Sequence, residues 1–228
     1  NTPRQTMKGP TTLKQAEDNW HTSMGALFNG ERVVLRGKDL FTELNEVSWF
    51  KYLMFAITGE FFSDKEIDLI EKVWTLIWNN RVASISGSAR STGALGVAAG
   101  IAVSEASIYG NQINISAIDF IQRAKIAIDN NQDLNIIVKK ELKTKRIISG
   151  YGRPLITTDE RIAPLTHAAN KLQLSDGPHF KAAKKVEEIL AKGRYRMVMN
   201  ASGLAAALLA DLGFTKEQYY YYSIIAFS

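Results

Sequence analysis

Cysteine is absent from the 228-residue chain, which has only 3 histidines and 5 prolines. Without thiols there are no disulfides, no thiolate nucleophiles and no Cys-ligated metals. That composition fits a cytoplasmic protein. The histidines, His21, His167 and His179, have no metal-motif spacing, so no metal is expected. No apolar run reaches the ~20 residues of a bilayer-spanning helix, and the polar N-terminus lacks the apolar stretch of a secretory signal. Neither membrane insertion nor export is therefore expected. What remains is an ordinary globular composition, 46% hydrophobic and 22% charged, enough for one large core or two modest ones.

The net charge of +5 is mild. Part of the basic excess lies in Lys139-Lys140-Glu141-Leu142-Lys143-Thr144-Lys145-Arg146. No aromatic residues interleave it, so a single-stranded nucleic-acid platform is not expected. Two readings stay open: a solvated helix end whose cations suit the macrodipole, or a patch for a phosphorylated ligand.

Residues 1–19 lack apolar periodicity and read as a loose arm. Residues 21–36 read as a β-hairpin, because Asn29-Gly30 separates two short apolar runs. Helical signals follow. Ser48 caps residues 49–58, which close at Gly59. Ser63-Asp64-Lys65-Glu66 is a capping box before a helix with Ile67, Ile70, Trp74 and Ile77 on one face, ending near Asn79-Asn80. Residues 93–103 carry dense small residues, which suit close helix approach inside the core or at a subunit contact. Ser116 is expected to cap a helix bearing Ile118, Ile121 and Ile128. Helices are also expected over 133–145, 159–172, from Asp176-Gly177-Pro178, over 200–212, and from the capping box Thr215-Lys216-Glu217-Gln218. The four tyrosines at 219–222 cover every side of a helix, so they combine core with boundary surface. The class is mainly all-α with a small hairpin near the start, about ten helices in one unit over residues 20–228.

One turn, Gly150-Tyr151-Gly152-Arg153, stands out. Alone it is a glycine turn between helices. It is too short for a dinucleotide fingerprint, and no parallel sheet accompanies it.

Its setting adds more. Ile148-Ser149-Gly150-Tyr151-Gly152-Arg153-Pro154, followed by Thr158-Asp159-Glu160-Arg161, resembles the citrate synthase superfamily signature of Gly-aromatic-Gly-His and then Asp-Pro-Arg. Val34-Leu35-Arg36-Gly37-Lys38-Asp39-Leu40 is similar to the family's arginine-glycine-tyrosine segment. Ala99-Gly100 through Ser107-Ile108-Tyr109-Gly110 is similar to the helix leading to its Pro-Leu-His-Gly motif. Asn200-Ala201-Ser202-Gly203, with residues 208–214, is similar to its Asn-Ala-Asp-Gly and Leu-Gly-Phe segments. The four segments run in the family's order from about Trp20 onward. The short length resembles citryl-CoA lyase and the citrate-synthase-like module of ATP-citrate lyase.

The resemblance implies a citrate-synthase-like multi-helix fold and carbon–carbon bond formation or cleavage at an acyl-CoA thioester. Coenzyme A or an acyl-CoA would be the substrate, and a small carboxylic or keto acid the partner. It also implies a homodimer, paired through residues 93–103. In the family a carboxylate removes a proton from the acyl methyl group, and two histidines aid the thioester and the carbonyl partner. Here Tyr109 and Arg153 stand at the histidine positions and Ser202 at the carboxylate, so these three are the candidate catalytic residues. Arg161, Asn200 and Asn80 are candidates for substrate binding. Lys145, Arg146, Gly150 and Gly152 are candidates for the coenzyme.

These replacements change the chemistry. A neutral Ser202 hydroxyl does not take a methyl proton, and loss of a general base costs ~10²–10⁴-fold. Arg153 is always charged and can stabilise an oxyanion, and Tyr109 can donate one hydrogen bond. Two functional readings follow. One is an enzyme of the family's general class with altered chemistry. The other is a non-catalytic homologue serving as a binding or assembly subunit.

Overall fold

The computed structural model describes residues 24–28, 32–77, 98, 101–102, 105, 110–153, 159–193 and 196–227. The N-terminal arm, His21, the Asn29-Gly30 turn, Asn79-Asn80, most of segment 93–103 and Tyr109 lie outside these residues. The chain forms two compact units, residues 1–61 and 62–228.

In the first unit, β1 (Gly25–Phe28) pairs antiparallel with β2 (Arg32–Leu35), Gly25 opposite Leu35 and Phe28 opposite Arg32. A third strand, β3 (Lys38–Asp39), extends the expected hairpin to a three-stranded sheet in the order β1-β2-β3. The turn between β2 and β3 is Arg36-Gly37, with φ of 47° and 80°. Positive φ at both positions is what a two-residue hairpin turn requires. Arginine is not a turn former, so the sequence hides this strand. The reason for an arginine lies in helix α1 (Trp49–Thr58). Arg36 Nε donates to Ala56 O at 2.9 Å and Nη2 to Ile57 O at 3.0 Å. The guanidinium thereby satisfies carbonyls that the helix end leaves unpaired, while Gly59 closes the helix in the left-handed region.

The second unit contains helices α2 (Asp64–Ile77), α3 (Asn111–Asp129), α4 (Leu134–Lys145), α5 (Ile162–Leu172), α6 (Pro178–Ala191), α7 (Ala201–Asp211) and α8 (Lys216–Phe227). Helix α7 is its centre and packs against α2, α3 and α6. Nearly every α7 residue is buried. Alanines and leucines around its whole circumference explain this, because a helix apolar on all sides has no face to give to water. Helix α3 packs against α4, α6, α7 and α8. Helix α8 is held by Tyr219 and Tyr222, both fully buried, while Tyr221 faces solvent. Tyr222 Oη donates to Ile70 O at 2.8 Å, joining α8 to α2.

Most expected helix boundaries agree with the structure. At α8 the capping box is reciprocal: Thr215 N–H donates to Gln218 Oε1 at 2.8 Å, and Gln218 N–H to Thr215 Oγ1 at 3.1 Å. At α2 Glu66 reaches back to the Ser63 N–H at 2.7 Å. Two boundaries differ. Helix α3 begins at Asn111 rather than near Ser116. Its first turns hold the buried Asn111 and Asn114, whose amide oxygens accept from Ser223 and Ser202 hydroxyls on other helices. Tertiary partners thus start the helix well before the local capping signal at Ser116. Helix α5 begins at Ile162 rather than Asp159; the Asp159 carboxylate accepts from the N–H and guanidinium of Arg161, the N-cap residue, and from the Ala201 N–H of α7.

Candidate active site

The turn at Gly150 is built against the N-terminus of α7. Gly150 and Gly152 have φ of 92° and 76°, values that side chains disfavour. A Cβ on Gly150 would stand 2.8 Å from Gly203 Cα, and one on Gly203 would stand 2.2 Å from Gly150 O. The two glycines therefore let turn and helix touch backbone to backbone. Asn200 N–H donates to Gly150 O at 2.9 Å, and Gly152 N–H donates to Val198 O at 2.7 Å. Tyr151 bridges to Met199. Its buried phenol donates to Ala183 O at 2.9 Å. Burial first, then the charge of Glu187, pushes this phenol well above its ordinary pKa. Tyr151 is therefore an anchor rather than an acid or base.

Asn200 locks the same junction. Its Oδ1 accepts from Gly203 N–H at 3.1 Å, capping α7, and its Nδ2 donates to Gly152 O at 2.8 Å. The candidate substrate residue thus ties turn to helix.

The turn presents Arg153, whose side chain is 16% exposed. Its Nη1 lies 2.5 Å from Glu160 Oε2 and 3.6 Å from Asp159 Oδ1. Asp159 is the electrostatic centre. Arg161 grips it with a fork, Nε to Oδ1 and Nη2 to Oδ2, both at 2.9 Å. The Arg161 N–H adds a bond to Oδ1 at 3.2 Å, and the Ala201 N–H, in the first turn of α7, adds a fourth, to Oδ2, at 2.9 Å. Burial pushes the Asp159 carboxyl up, but the Arg161 guanidinium and the Ala201 N–H outweigh it and hold the pKa down at about 2. Arg161 Nη1 also donates to Ile77 O at 3.1 Å. Arg161, a candidate for a substrate carboxylate, is thus engaged by the chain's own carboxylate.

Ser202 Oγ donates to Asn114 Oδ1 at 2.6 Å. The hydroxyl proton goes to an amide oxygen, which is not a base. The oxygen offers lone pairs but gains no proton-abstracting power. Asn114 is the residue that sequence reasoning missed here. The available signal was a pair of asparagines, Asn111 and Asn114, on the face continued by Ile118 and Ile121. Polar residues on an apolar stripe point to buried partners.

The remaining candidates are placed as follows. Lys145 ends α4 and pairs with Glu141 at 2.9 Å, and Arg146 is its left-handed, exposed C-cap. They precede the turn in the chain, and none of the site's hydrogen bonds described above involves them. Tyr109 and Asn80 lie outside the described residues. Among the described residues no group of His, Asp or Glu is arranged to hold a metal ion, and no helix is long and apolar enough to cross a membrane.

This helical architecture, with its small N-terminal sheet and glycine turn docked on a central helix, is the fold of the citrate synthase superfamily in a short form. Three kinds of solved structure share it. The citryl-CoA lyase of Hydrogenobacter thermophilus superposes with a TM-score of 0.75 at 25% identity, over 91% of this chain and 82% of that one. The ATP citrate lyase of Methanosaeta concilii, solved with (3S)-citryl-CoA, gives 0.69 at 17% identity, and this chain spans 40% of its length. The citrate synthase of Thermoplasma acidophilum, solved with carboxymethyl coenzyme A and oxaloacetate, gives 0.54 at 17% identity, over 80% of this chain and 50% of that one. No protein-family model and no curated protein sequence matches the chain.

Proposed function

We propose that the chain binds an acyl-CoA thioester together with a small carboxylic or keto acid in the family's cleft, and acts there on carbon–carbon bond formation or cleavage with altered chemistry. The observation that carries this reading is the Gly150–Gly203 contact. Two facing glycines and four backbone or Asn200 hydrogen bonds hold a scaffold whose purpose is to present one side chain. That side chain is Arg153. A preorganised guanidinium stabilises negative charge developing on a carbonyl oxygen. Tyr109 would add a neutral donor, and Lys145 and Arg146 would attract the phosphates of the coenzyme. We place the protein in the cytoplasm and as a homodimer.

A second reading has its own observation. The Ser202–Asn114 hydrogen bond of 2.6 Å puts a neutral pair where the family has its base. That favours a non-catalytic binding or assembly subunit. One experiment separates the two: calorimetry with acetyl-CoA, joined to deuterium exchange of its methyl group. Binding with exchange supports an enolising enzyme. Binding without exchange leaves a binder or a different reaction, and absence of binding rejects both. The paired variant Arg153→His with Ser202→Asp is expected to exchange the methyl protons at least 10²-fold faster than the parent, the lower end of what a positioned base contributes.

A further inference from the structure

Helices α3 and α4, joined by residues 130–133, border a groove of about 410 Å³. Arg123, Ile126 and Ala127 line it from α3, and Ile137, Lys140 and Thr144 from α4. Spacings of three and four residues put each set on one helix face. The groove holds apolar surface at two levels. Ala127 is 2% exposed and Ile137 half-buried, while Ile126 is 55% exposed. Ile136, next to Ile137 and one turn before Lys140, is 62% exposed. A single exposed isoleucine needs no explanation, but apolar side chains gathered at a concavity mark a contact surface. The charge beside them is one-sided. Residues 119–146 carry seven cations and four anions. Arg123 pairs with Asp119 and Glu141, Lys145 shares Glu141, Lys125 holds Asp129, and Asp133 caps α4. Lys140 and Lys143 are exposed and have no ion-pair partner among the described residues. Three residues apart, they stand on one side of α4.

We propose that the α3–α4 groove docks an acidic amphipathic helix of a partner protein. Apolar side chains of that helix enter the groove between Ile126 and Ile137, the usual mode of helix-in-groove recognition. Its carboxylates meet Lys140 and Lys143, so charge complementarity selects an acidic partner over a basic one. The shape selects a helix. A small ligand held between the groove walls leaves Ile136 in water, whereas a helix lying along the groove covers it. A bilayer surface does not reach down to Ala127, which is 2% exposed. None of the groove residues takes part in the hydrogen bonds of the Gly150 turn, so the inference stands apart from the chemistry proposed for that turn.

The test is fluorescence anisotropy on the whole chain with a labelled peptide of about 16 residues, long enough to form a helix. Leucines line one of its faces and glutamates the other. A peptide of the same composition, shuffled so that no apolar face forms, is the control. The amphipathic peptide should bind at least about fivefold tighter than the control. Ile126→Ser should weaken it about three- to tenfold through lost apolar burial. Lys140→Glu with Lys143→Glu should weaken it by about as much, and this difference should shrink at high salt. All three positions are exposed, so the variants should keep the parent's circular dichroism spectrum. Equal binding of the two peptides, no binding, or binding that neither variant weakens overturns the inference. Sedimentation of the chain with phosphatidylserine vesicles, without peptide binding, assigns the surface to a membrane and also overturns it. So does displacement of the peptide by acetyl-CoA, which would give these cations to the coenzyme.

Discussion

Asp159 does the most at the scale of single residues. It neutralises Arg161, lies near Arg153 and caps the Ala201 N–H. Its pKa is depressed to about 2 from an ordinary 3.8. A depressed carboxylate contributes stability above its unfolded-state value and loses it as pH falls through the folded value. The contribution should therefore be complete above about pH 4 and vanish toward about pH 2. Asp159→Asn should flatten that acid limb in denaturant titrations and lower stability at neutral pH by about 2–4 kcal/mol. An acid limb unchanged by the substitution would contradict the assignment. Asp159 was visible in the sequence beside Arg161. The bond between Ser202 and Asn114 was not, because 88 residues separate the partners along the chain.

At the scale of elements, the contact between turn and helix α7 decides the site. Gly203→Ala places a Cβ 2.2 Å from Gly150 O. Backbone cannot give way as a flexible side chain does, so turn and helix must separate. Thermal or denaturant unfolding should show a loss of about 1–3 kcal/mol. A conservative surface change such as Lys192→Arg should leave stability within about 0.5 kcal/mol. Equal stability of Gly203→Ala and its parent would remove the close approach from the account. The Gly59 stop of α1, the Gly177-Pro178 start of α6, the Asn200 cap of α7 and the Thr215 capping box of α8 were readable from local sequence, whereas Ser48 precedes α1 without a side-chain capping bond. Strand β3 and the start of α3 were not readable. Arg36 in a turn and Asn111 in a helix are chosen by distant carbonyls and hydroxyls, and no local pattern encodes those.

At the scale of the whole molecule, the second unit is organised by an alanine- and leucine-rich central helix, α7, which packs against α2, α3 and α6. Static light scattering should give twice the chain mass of 25.4 kDa if the proposed homodimer forms, and a single chain mass at high concentration would reject it. The two compact units divide the fold's roles. Residues 1–61 form the sheet and α1, and residues 62–228 carry the turn, Arg153, Asp159 and Ser202.

By itself the sequence determined the helical class, most helix ends and the glycine turn. These depend on periodicity, caps and φ preference, and such effects act within a few residues. It also offered Tyr109, Arg153 and Ser202 as candidates for the catalytic positions that the family resemblance implies. Only the tertiary structure decided what those residues do. Arg161 is engaged by Asp159, Asn200 ties turn to helix, Ser202 gives its proton to Asn114, and Arg153 rests on an exposed Glu160. Hydrogen-bond and ion-pair partners are set by distance in space, and the chain order does not record that distance.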